Sequence, residues 1–217
     1  MKFYLIIFLS VAYINSVSAQ GINTNGNSSN NTSNYIDKNG KINNTPSLTK
    51  NGKIDTLIIG DNFQGGIVAY ILQPGDPGYI VGETHGLIAA PTDQSSGAEW
   101  GCINTTLCSQ VAGAGNPIGK GNQNTTEIMA GCSTPGIAAR ICGDLVMNGY
   151  SDWYLPSYDE LMKLYLNKVT IGGLSNAEYW SSSEGTSWYS YTLNFSNGVF
   201  GYPNKNFPHY VRAIRSF

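Results

Sequence analysis

The residues that could do chemistry are sparse, and most familiar arrangements fail on spacing. Gly113-Ala114-Gly115-Asn116-Pro117-Ile118-Gly119-Lys120 has the glycines and terminal lysine of a phosphate-cradling loop. Such a loop needs Gly five residues before the Gly-Lys pair and Ser or Thr after the Lys; those positions hold Ala114 and Gly121. A dinucleotide fingerprint needs Gly where Ile118 stands, so the segment reads as an ordinary loop. Nucleophilic catalysis has only His85 and His209 to serve as base, without a Gly-x-Ser-x-Gly elbow or a His-Glu-x-x-His pattern. Asp93, Glu99, Asp152, Glu178 and Glu184 could supply a hydrolase's carboxylate pair, but their presence alone specifies none. No enzymatic activity is expected.

Cys102, Cys108, Cys132 and Cys142 form no Cys-x-x-Cys knuckle and lie far in sequence from either histidine, so no zinc site is expected. In an exported chain they read as disulfide partners. Of the three possible pairings the local one, Cys102 with Cys108 and Cys132 with Cys142, is preferred. No Asp-rich loop of EF-hand spacing occurs. The expected cofactor is therefore none, with a loop-stabilising calcium ion kept as an alternative.

The aromatic residues are more informative. Trp180, Trp188, Tyr189, Tyr191, Phe195, Phe200, Tyr202, Phe207 and Tyr210 crowd the last third of the chain. In a strand over Ser187–Phe195, Tyr189, Tyr191, Leu193 and Phe195 share one face, and Trp188, Ser190, Thr192 and Asn194 the other. The alternation predicts that the odd-numbered face is core and the even-numbered face wetter. A flat Trp188 ring beside hydroxyl and amide groups suits stacking on a sugar. The competing reading makes Trp188 an ordinary core residue under a loop.

These residues need elements to hold them. Thr56–Ile59, Gly66–Leu72 and Gly86–Ala90 read as strands, with a turn cluster at Gln73–Gly78. Asn124 and Glu127 have capping-box spacing for a short helix, and Pro135 opens a second run from Gly136 to Met147. Ser157 and Glu160 form the best-specified helix start, placing Leu161, Leu164 and Tyr165 on one face. Tyr179–Ser183, Ser187–Phe195, Gly198–Tyr202 and His209–Ile214 read as strands, with a hairpin turn at Ser196-Asn197-Gly198. Strands, then helices, then strands predict an α+β domain.

The ends imply export. Lys2, the short apolar run Phe3–Val11 and the small residues Val17-Ser18-Ala19 form a signal peptide, 1–19, with a mature start at Gln20. No later segment is apolar enough to cross a membrane. Residues 20–55, rich in Asn, Ser, Thr and Gly, cannot bury enough apolar surface to offset their ordering entropy and read as a disordered spacer. Residues 56–217 form one domain. A net charge of −2, with only 12% charged residues, argues against nucleic acid and against polybasic membrane binding.

Gly60-Asp61 with Gly65-Gly66-Ile67-Val68 and His85-Gly86-Leu87-Ile88-Ala89-Ala90-Pro91 open an ordered series of motifs. Glu99-Trp100-Gly101-Cys102, Gly121-Asn122-Gln123-Asn124-Thr125 and Ala138-Ala139-Arg140-Ile141-Cys142 continue it. Gly149-Tyr150-Ser151-Asp152-Trp153-Tyr154-Leu155-Pro156-Ser157, Tyr179-Trp180-Ser181-Ser182-Ser183 and Val211-Arg212-Ala213-Ile214-Arg215 complete it. The series resembles the Lcl C-terminal domain family. The Trp-x-Leu-Pro-Ser helix start and terminal Val-Arg strand also look like the C-type-lectin-like and formylglycine-generating folds. The resemblance implies a C-type-lectin-like α+β domain with a mixed, loop-rich antiparallel sheet and two main helices. It also implies kinship with a collagen-like bacterial adhesin that binds sulfated glycosaminoglycans. This chain has no collagen repeat, and its acidic balance suits a polyanion poorly. The catalytic cysteines of formylglycine-generating enzymes and the calcium-lectin triplets are not recognisable, so no site residue carries over. Asp55-Thr56-Leu57 resembles the O-glycosylation sequon of Bacteroidota, with Thr56 the acceptor.

The reading that results is a secreted or cell-surface bacterial binding and adhesion module. Its expected partner is a glycan or a host or neighbour-cell surface, met at Trp188, Ser190, Thr192 and Asn194. A structural or protein–protein adhesion module is the alternative, and an unrecognised carbohydrate-active enzyme the third.

Overall fold

Ser157 begins its helix as its spacing requires. Its hydroxyl accepts from the Glu160 backbone, while the Glu160 carboxylate accepts from the Ser157 N–H at 2.7 Å. The computed structural model describes residues 57–108 and 117–217, together with the backbone of strands β1 (Asn34–Ile36) and β2 (Ile42–Asn44). These two strands pair antiparallel inside the segment read as a spacer. The signal peptide, the rest of the spacer, Thr56 and residues 113–116 of the Gly113–Lys120 loop lie outside the described residues.

The fold is α+β. Strands β3 (Asn62–Phe63), β4 (Gly66–Ile71), β5 (Gly86–Ala89) and β6 (Ser95–Ala98) come first. Helices α1 (Gly121–Gly131), α2 (Ala138–Gly143), α3 (Tyr158–Leu166) and α4 (Lys168–Ile171) follow. Then come β7 (Glu178–Glu184), β8 (Ser190–Asn194), β9 (Phe200–Gly201), β10 (His209–Val211) and β11 (Ile214–Ser216). A five-stranded sheet runs β6-β10-β7-β8-β9, mixed because β10 and β7 are parallel. An antiparallel sheet runs β11-β5-β4-β3.

Several boundaries differ from the sequence reading. Residues 57–59 form no strand; the Ile58 N–H bonds the Asp61 carboxylate in a turn instead. Helix α1 starts at Gly121, so Asn124 is a buried helical residue facing Ser182, not a cap. Helix α2 stops at Gly143, well before Met147, which forms a bridge with Tyr150. The expected strand over His209–Ile214 is divided between the two sheets. At the division, the Arg212 side chain turns inward to Asp93, at 2.8 Å, and to the Ala90 carbonyl. Strand β6, a Ser-Ser-Gly-Ala stretch of weak strand preference, is held by its pairing with β10.

The five-stranded sheet is covered on both faces. Trp180 packs with Trp100, Ile128, Ala138, Ala139 and Cys142 in one buried cluster with α1 and α2. Tyr179, Leu193 and Phe195 pack with Leu161 and Leu164 of α3 in the other, together with Ala69 and Leu87 of the second sheet. A strand buried on both faces loses the simple apolar–polar alternation.

Candidate functional site

That double cover decides where the predicted site residues stand. Ser190 and Thr192 are fully buried. The Ser190 hydroxyl donates to the Ser183 carbonyl at 2.8 Å, and Thr192 lies opposite Trp180 and Gly201 in the sheet. Neither reaches a ligand at the surface, which corrects the wet-face reading. Asn194 serves the hairpin turn: its Oδ1 accepts from the Ser196 N–H at 2.8 Å and from the Ser196 hydroxyl. Gly198 completes that turn at φ +75°, as the Ser-Asn-Gly chemistry predicts. Trp188 precedes β8 and is 43% exposed, so it is not a core residue. The structure therefore does not bring the four predicted residues together.

It assembles another group on the opposite, odd-numbered face. There Leu193 and Phe195 lie beneath α3, while Tyr189 and Tyr191 sit nearer the start of the strand. Phe200 and Tyr202 join them from β9 and its continuation, and Tyr158 from the first turn of α3. Tyr202 is the hub: its ring centroid is 5.4 Å from Tyr189 in a stacked geometry, 5.3 Å from Tyr191 and 6.2 Å from Phe200. Tyr191 meets Phe200 edge-on at 5.0 Å, and Tyr158 meets Phe200 at 5.5 Å. Tyr189, Phe200 and Tyr202 remain 42%, 48% and 39% exposed, so the cluster faces solvent. Burial raises the phenol pKa values of Tyr158 and Tyr191, helped by Asp159 and Tyr202 respectively, so both rings stay neutral. Aromatic density in the last third marks four of these five rings; the odd-numbered face predicted to be core is buried at Leu193 and Phe195, half-buried at Tyr191 and exposed at Tyr189.

The frame behind the rings is polar and buried. Glu184 and Lys205 form an ion pair with no exposed side-chain surface. Glu184 also accepts the Cys108 N–H at 2.6 Å and the Leu107 N–H, and Lys205 donates to the Thr105 carbonyl while its ammonium lies 4.6 Å from the Trp100 ring centre. One pair thus ties the loop before Cys108 to the segment after Tyr202. A disulfide joins Cys102 to Cys132, and Cys108 and Cys142 are buried free thiols, which overturns the local pairing. Cys132 closes α1 and so lies within reach of the loop after β6, a proximity that sequence separation hides. Among the described residues no cluster of three or more His, Cys, Asp or Glu could hold a metal ion. Asp93, Asp152, Glu178 and Glu184 are paired with Arg212, Arg215, His209 and Lys205 respectively.

Residues 90–215 match the Lcl C-terminal domain family. The chain belongs to that family. The matched Lcl C-terminal domain segment begins after β5, yet β4 and β5 pair in the same sheet as β11 within it. Comparison with curated proteins returns no significant match. Among solved structures, the chain is similar to a fimbrial protein from Bacteroides ovatus, with a TM-score of 0.45 and 14% identity. The alignment covers 85% of this chain and 48% of that one, so the chain spans about half of that protein's length. Among the described residues, no helix is long and apolar enough to cross a membrane.

Proposed function

We propose that this Lcl C-terminal domain protein is a C-type-lectin-like binding module, displayed on the bacterial surface or secreted, that recognises a glycan and carries out no catalysis. The observation that carries this reading is the solvent-facing cluster of Tyr158, Tyr189, Tyr191, Phe200 and Tyr202. Rings supply apolar area for the C–H faces of a sugar, and tyrosine hydroxyls supply hydrogen bonds beside them. The cluster is held on sheet strands backed by a buried ion pair, so little ordering entropy is lost on binding. No cofactor enters the reading. A protein–protein adhesion surface is the second reading, favoured by exposed Val199 beside Phe200 on the same hairpin.

The test is binding of the purified chain to a broad glycan array, with and without calcium, alongside Tyr202→Ala and Trp188→Ala. Saturable binding lost in Tyr202→Ala supports the five-ring site. Loss in Trp188→Ala alone moves the site to the other face of the strand. Absence of binding by folded, oxidised protein favours protein adhesion.

A further inference from the structure

We infer that the ligand of the five-ring face is an uncharged polysaccharide, and that the face rejects sulfated or carboxylated glycans; the inference rests on the glycan reading above. It follows from where the cations go. Of the chain's twelve Lys and Arg residues, seven lie among the described residues, and each is engaged within the fold. Lys205 and Arg212 are fully buried, paired with Glu184 and Asp93. Arg215 is bidentate to Asp152, at 2.8 and 2.6 Å, and lies over the Tyr150 ring. Arg140 donates to the Met129 and Cys132 carbonyls. Lys168 donates to the Phe195 carbonyl, Lys163 lies 4.5 Å from the Tyr70 ring centre, and Lys120 donates to Gln123. Among the described residues, none of these seven is presented to the rings as a free partner for an anion.

An acid beside the rings pushes the same way: Asp159 is exposed and adjacent in sequence to Tyr158. The faces of aromatic rings are themselves electron-rich, so they attract C–H groups and cations and repel anions. A sulfate moved from water onto such a surface loses hydration and gains no charged partner among the described residues. A neutral hexose loses little hydration there, because its C–H face covers a ring while its hydroxyls stay wet or meet tyrosine hydroxyls.

The experiment is affinity electrophoresis of the purified chain through gels containing laminarin, xyloglucan or yeast mannan, and separately heparin or chondroitin sulfate. Each is run at about 50 mM and about 500 mM salt, a range over which ionic binding weakens steeply. The expected result is retardation by at least one neutral polysaccharide, unchanged by salt and unaffected by added choline. Tyr202→Ala and Tyr189→Ala, both surface substitutions, each weaken that retardation about tenfold. Retardation by heparin at low salt that fades at high salt overturns the inference while leaving the glycan reading intact. Competition by choline overturns it in favour of a cationic ligand. Retardation by neither polysaccharide class, from protein shown to be folded, overturns the glycan reading and the inference with it.

Discussion

The ring of Tyr202 lies directly against the bare Cα of Gly185: a Cβ built there would come within 2.0 Å of the ring. Gly185 follows β7 and receives Tyr202 from the far side of β8, so a backbone gap in one strand seats the hub ring of the cluster. Gly185→Ala must therefore displace Tyr202 from its stack with Tyr189. Because Tyr202 is a partly exposed side chain free to swing outward, we expect a stability loss below about 1 kcal/mol. Ligand retention should fall about as far as in Tyr202→Ala, since a stacked pair is worth about 1 kcal/mol. Thermal denaturation beside affinity electrophoresis checks this. Full retention in Gly185→Ala would mean that Tyr202's position does not matter.

Lys205→Met leaves the Glu184 carboxylate buried without its cation. Breaking a buried pair from one side costs about 3–5 kcal/mol, whereas replacing both partners with apolar residues is often close to neutral. Lys205→Met should therefore be strongly destabilising. The double variant Glu184→Met/Lys205→Met should recover part of the loss, less the bonds from Leu107, Cys108 and Thr105 that also end on this pair. Urea denaturation of the full cycle measures it. A double variant worse than the sum of the singles would contradict this account.

The disulfide closes a sequence separation of 30 residues. By loop-closure entropy, Cys102→Ser with Cys132→Ser should cost about 3.5 kcal/mol. Burial raises the pKa of the Cys108 thiol, with further help from Glu184, and burial alone raises that of Cys142, so neither presents a thiolate. A thiol reagent should titrate no cysteine in the native protein and two after denaturation without reductant. Four unreactive cysteines in the denatured protein would show a second disulfide.

The two histidines should act on stability with opposite signs. His209 packs edge-on to Trp180, and burial lowers its pKa against the opposing pull of Glu178. Its contribution is therefore present above the unfolded value of about 6.5 and lost as pH falls through the depressed folded value. His85 is raised by its hydrogen bond to Glu83 and then by the Phe217 carbonyl. Its contribution is present below about 6.5 and lost as pH rises through the raised value. His209→Gln should flatten the loss of stability between about pH 6.5 and 5 and leave the His85 limb unchanged. Denaturation curves across that range check it, and an unchanged acid limb would remove His209 from the account.

Much of the architecture was legible because it rests on local rules. Ser157 and Glu160 satisfy each other's orphan helix donors within three residues, and Ser196-Asn197-Gly198 turns the chain by its own side-chain and φ preferences. The order of strands and helices, and the series of family motifs, likewise follow from residues near one another in the chain. The tertiary structure alone decided the rest, because burial is a property of what packs from elsewhere. Alternation along β8 by itself predicts one wet face and one dry face. But Ser190 and Thr192 are fully buried on the face predicted to be wet, while on the other face Leu193 and Phe195 pack against Leu161 and Leu164 of α3, Tyr191 is half-buried beside Tyr158, and Tyr189 is exposed. Cys102 pairs with Cys132 because α1 returns its end to the loop after β6, and no spacing rule records that return. Glu184 and Lys205 have ordinary surface chemistry in sequence; only the closing of the loop over them makes their charges a buried pair.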